Sequence, residues 1–185
     1  MPSSDIYQAA REGLRARQGQ GARYDAHNAP VDELLLARRG AAFFARKVNE
    51  LDDRDFAVPS RREGMSRAHL VANVSYRARS LALAVKGIRE GLTEEEAAWR
   101  PDAALAATLP VRAIRHLNYH SDVHLNVEFR DLQPEHWDGE EIVFDGETLA
   151  VRATPLLRAR DVWMAALDLA NGARPADLPA QLRPQ

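Results

Sequence analysis

Four stretches of this chain carry apolar residues three to five positions apart. Each is bounded by proline, glycine or a capping side chain, a pattern that few folds other than an all-α four-helix bundle satisfy. In the first, Val31, Leu34, Leu35, Ala42, Phe43, Val48 and Leu51 follow Pro30 and predict a helix over 31–52. The second opens at Ser66, whose hydroxyl can accept from a free N–H of the first turn, and stops before Gly91, predicting 66–90. The third follows Pro110 and predicts 110–132. The fourth starts at Pro155, a residue suited to a first helical turn, and runs to Asn171-Gly172. Thr93 and Glu96 have the spacing of a capping box, so a short helical piece through Trp99 is expected in the connection. Ile142 and Phe144 alternate ahead of Asp145-Gly146, which predicts a small hairpin-like insertion over 141–151, before the last long helix. The tail ARPADLPAQLRPQ, with three prolines, is expected to drape over the bundle. Residues 1–30 read as a polar N-terminal extension with a short helix at 6–17, and 31–185 as the bundle domain.

Composition narrows the chemistry. The 185 residues include no cysteine, so disulfides, thiolate ligands and a cysteine nucleophile are excluded, and any sulfur chemistry needs an external thiol. A formal net charge of -2 provides no basic field to recruit nucleic acid or an anionic membrane. No apolar run approaches the roughly 20 residues of a membrane span. The expectation is a cytoplasmic protein, monomer or homodimer, with a small-molecule substrate as its partner.

Two segments carry a resemblance. REGMSRAHLVANVSYRARSLA, residues 61–82, is similar to a Gly-Trp-Ser/Thr-x-Gly-His pattern opening a second helix, with Met65 for Trp and Ala68 for the second Gly. PLLRARDVWMAALDLANG, residues 155–172, is similar to Arg-x-Arg-Glu-Val-Trp-x-His-x-x-Asp-Leu. The intervening FRDLQPEHWDGEEIVFDGETLAVRAT fits the same order. Together these resemble the mycothiol-dependent maleylpyruvate isomerase family, a branch of the DinB-like proteins, over about residues 31–180. The resemblance implies an up-down-down-up DinB-like four-helix bundle with a divalent metal, usually zinc, and a low-molecular-weight thiol as cofactor. It places a metal ligand at His69 and a shorter carboxylate, Asp161, at the family's Glu. Ala165 stands where the family has its ligating His, and Asp168 matches the Asp that follows. The implied function is a metal- and thiol-dependent isomerase or S-transferase acting on a small acidic or electrophilic substrate. The competing reading is a non-catalytic small-molecule-binding member that has lost its metal.

The residues themselves sharpen this. Positions 161 and 165 share one helix face, and a catalytic zinc ordinarily has three protein ligands and an open position. Restoring Ala165→His is therefore expected to tighten zinc binding. Asn73, Tyr76 and Arg77 follow His69 on its face and, with Arg158, are candidate substrate-binding residues, although arginines there serve equally as ion-pair partners. On the third helix His116, His120, His124 and Glu128 recur every fourth residue. At about 100° per residue the apolar arc centres on Ile114, Ser121, Leu125 and Leu132. Glu128 then lies inside the arc, His124 at its edge, and His116 and His120 outside. His124 and Glu128 are thus possible replacement ligands, or else a satisfied polar pair. Trp163, Met164 and Leu167 are expected in the core, with Trp99 and Trp137 as packing anchors.

Overall fold

A computed structural model of the chain describes residues 25–183. Its four long helices are α1 (Val31–Asn49), α2 (Arg67–Arg89), α3 (Val111–Asp131) and α4 (Thr154–Asp168). All four stand where apolar periodicity and punctuation predict them. α1 and α4 stop about a turn early, because the apolar spacing runs on into buried residues beyond the helix: Leu51 after α1 and Leu169 after α4. Ala170 (φ 54) and Gly172 (φ 75) enter the left-handed region, which ends α4. Ser66 caps α2 through its hydroxyl, which accepts from the His69 N–H, and Thr93 and Glu96 form the expected capping box of a short helix, Glu94–Ala98. No helix among the described residues is long and apolar enough to cross a membrane.

Contacts between the helices set their directions. Trp163 donates to the Leu36 carbonyl and Asn171 to that of Lys47, so α4 runs parallel to α1. Ser75 meets Asn118 and Arg89 meets Glu128, so α3 runs parallel to α2. Arg67 reaches the Leu169 carbonyl while Arg77 reaches Asp161, so α2 and α4 are antiparallel. This is the up-down-down-up order. The α1–α4 and α2–α3 interfaces are extensive, whereas α2–α4 and α1–α3 touch thinly. The helices therefore form a ring with two thin seams on opposite faces. At the α1–α4 crossing Gly40 has no room for a side chain: a Cβ there would lie 2.5 Å from Val162 Cγ2.

The hairpin pairs β1 (Glu141–Phe144) with β2 (Glu147–Ala150), in register from Glu141↔Ala150 to Phe144↔Glu147. Asp145 (φ 54) and Gly146 (φ 83) make its two-residue turn. Ile142 and Phe144 face the core, joining Trp137. The tail also packs, with Leu178 2% exposed in the core. Residues 25–30 take part in the packing too: Ala29 is buried and Asp25 accepts both arms of the Arg38 guanidinium. The expected helix at 6–17 lies outside the described residues. Met164, expected in the core, is instead 40% exposed, because it shares the solvent strip of α4 with Arg160, one turn away.

Candidate functional site

The α2–α4 seam holds the residues matched to the family's site. His69, Asn73, Tyr76 and Arg77 recur at helical spacing on one half-buried face of α2. At one end of the seam Arg67 donates to the Leu169 and Ala170 carbonyls (2.9 and 2.8 Å), and Arg62 pairs with Asp168 (2.8 Å). At the other end Arg77 takes both oxygens of Asp161, at 3.1 and 3.5 Å, and also pairs with Asp145 at the hairpin turn. Its guanidinium lies over the Phe144 ring, 5.2 Å from the centroid. Burial opposes the Arg77 charge, yet Asp161 and Asp145 hold its pKa above the ordinary value. Arg77 is thus the bolt joining α2, α4 and the hairpin. Tyr76 meets Trp99 edge-on at 5.5 Å, and the Arg79 guanidinium lies over the same indole, 5.0 Å from its centroid, so Trp99 anchors the α2–α3 connection to α2.

His69 lies in the stretch of α2 bracketed by Arg67 and Arg77, facing the stretch of α4 bracketed by Asp161 and Leu169, where Ala165 sits. Ala165 is fully buried within the same core cluster as Leu70, Val71 and Val74. A divalent metal does not fit this donor set. The methyl of Ala165 has no lone pair to give, and both Asp161 oxygens already accept from Arg77. Among the described residues no three His, Asp or Glu side chains converge.

Helix α3 brings no replacement ligand to His69. Glu128 is buried, as the apolar arc predicts, but it pairs with Arg89 (2.7 Å) and His124 (3.4 Å). Arg89 stands at the far end of α2 from His69, roughly 30 Å along the axis at 1.5 Å per residue. The satisfied-polar-pair alternative holds there. Burial raises the Glu128 carboxyl pKa, but hydrogen bonds from His124 and Arg89 outweigh it and leave it below the usual carboxylate range. His116 and His120 are exposed with their Nε2 atoms 2.8 Å apart.

Arg158 is not on the seam surface. It is 3% exposed at the centre of the bundle, donating to the Val74 carbonyl (3.1 Å) and to Asp122 of α3 (3.4 Å). Asp122 lies in none of the segments that carry the family resemblance. Its signal was present: a carboxylate directly after Ser121, at the edge of the α3 apolar arc.

An up-down-down-up bundle with a hairpin entering α4 and a histidine on the first turn of α2 defines a DinB-like helical protein. The chain belongs to the mycothiol maleylpyruvate isomerase N-terminal domain family, whose model matches residues 37–170. Two solved structures are similar. One is the mycothiol-dependent maleylpyruvate isomerase, with 30% identity, a TM-score of 0.73, and coverage of 84% of this chain and 67% of that one. The other is a His-to-Ala mutant of the mycothiol-dependent maleylpyruvate isomerase, with 29% identity, a TM-score of 0.75 and the same coverage. A comparison with curated proteins gave no match.

Proposed function

We propose that this chain is a small-molecule-binding member of its family that does not use the metal-dependent isomerase chemistry the resemblance implies. The observation that carries this reading is the Arg77–Asp161 pair. A guanidinium already neutralises the one carboxylate at the ligand positions, and the neighbouring position is a buried methyl group. Of the three ligand positions only His69 keeps an imidazole, and a lone histidine is a poor zinc site. A metal that would hold an external thiol as its thiolate has no support from such a donor set. His69 and Asn73 remain half-buried on the seam and can still contact a small polar ligand.

The test is a turnover assay of the purified chain with maleylpyruvate, mycothiol and added zinc. The expected result is no isomerisation above the rate in the absence of protein. Zinc-dependent turnover that disappears on His69→Ala would overturn the proposal and restore the thiol-dependent isomerase reading.

A further inference from the structure

The opposite seam is open. Between α1 and α3 lies a cavity of about 370 Å³, within the size range of small-molecule sites. Its origin is legible in α1, where Ala37, Ala41 and Ala45 repeat every fourth residue and line it with methyl groups. Leu125 and Phe129 of α3 form the facing apolar wall, and Arg158 and Asp122 supply polar groups.

Arg158 is short of acceptors. A guanidinium has five N–H donors, yet only the Val74 carbonyl and one Asp122 oxygen accept from it, and its buried Nε has no partner. Leaving such donors unmet in a buried site is costly. Asp122 is a weak counterion: it stands 3.4 Å away with 38% of its side chain exposed. The carbon around it still raises its carboxyl pKa above the usual range, in spite of Arg158. Arg38, at the rim, is already committed to Asp25 and Asn126.

An apolar chamber with a buried, under-accepted guanidinium suits one kind of guest. We propose that the α1–α3 cavity binds a medium-chain carboxylic acid, its alkyl body against the alanine wall and its carboxylate accepting from Arg158 in place of Asp122. Carboxylate and guanidinium match in a bidentate, charge-assisted geometry. This site opens on the face opposite His69, and its occupancy can be measured without zinc or thiol.

Isothermal titration of the full chain with octanoate, using octan-1-ol as the neutral control, tests it. Saturable one-site octanoate binding is expected, with octanol weaker by about tenfold or more, the scale of a charge-assisted hydrogen bond. Asp122→Asn removes the competing negative charge and should tighten octanoate binding by a similar factor. Ala41→Phe fills the chamber without touching Arg158 and should abolish binding while the helical circular dichroism is unchanged. No saturable octanoate binding to either the unmodified chain or Asp122→Asn overturns the proposal. So does octanol binding as tightly as octanoate, or an Asp122→Asn affinity no higher than that of the unmodified chain.

Discussion

The two thin seams of this bundle have been finished in opposite ways. On the α2–α4 side charges meet charges: Arg77 bolts Asp161 and Asp145 together, Arg62 and Arg67 tie down the end of α4, and Ala165 is sealed in the core. On the α1–α3 side small residues leave space, and the central arginine is under-satisfied. Sequence likeness points to the first seam, while unfilled volume and unmet hydrogen bonds point to the second. A family motif locates where chemistry has been placed in relatives. Whether a given chain retains it depends on what else now occupies the donors.

Substitutions can break this contrast, and the largest effect is expected at its centre. Arg158→Ala should destabilise the fold by about 3 kcal/mol, through loss of the buried side-chain stem together with the charged hydrogen bonds to Val74 and Asp122. Chemical denaturation measures this, and an unchanged midpoint would mean that Arg158 is not the buried strut described. Ala165→His should cost about 2 kcal/mol by overpacking a fully buried position, and alone it should not create a zinc site, since Arg77 still holds Asp161. The sequence alone gives a different expectation, that the added imidazole tightens zinc binding, and the zinc affinity of this variant decides between the two. Arg77→Met should cost about 1 kcal/mol or less, because the pair is partly solvated. Its clearer mark should be faster amide exchange across 141–150, where the hairpin loses its tie to α2.

The smallest effect concerns pH. Glu128 has a folded-state pKa below its unfolded one, so its contribution is present above the ordinary carboxylate pKa of about 4.3 and is lost as pH falls through the depressed value. Glu128→Gln should flatten the acid limb of the stability curve in that window and leave its neutral plateau less stable. A variant with an unaltered acid limb would show that the Arg89–Glu128–His124 cluster adds nothing to folding.

The helices, their caps and the hairpin were legible because each rests on local periodicity or on one or two punctuating residues. The burial of Glu128 was legible for the same reason, but its partner was not, since Arg89 lies on another helix. Arg77 shows the limit most clearly. Its spacing from His69 marked a shared face, whereas its bonds to Asp145 and Asp161 depend on how a hairpin and a distant helix pack, which no local pattern encodes. Arg158 carries a clue of its own in the sequence. It shares the stripe of Val162, Ala165 and Ala166 on α4, and a charge on a buried stripe signals either a strut or a site.

Equilibrium dialysis against zinc tests the central claim, that an ion pair and a buried methyl stand where the metal ligands would be. The unmodified chain should retain far less than one zinc per chain, while Arg77→Met/Ala165→His, which frees Asp161 and supplies the imidazole, should bind about one and lose it when His69→Ala is added. Stoichiometric zinc in the unmodified chain, lost on His69→Ala or Asp161→Ala, would contradict the account.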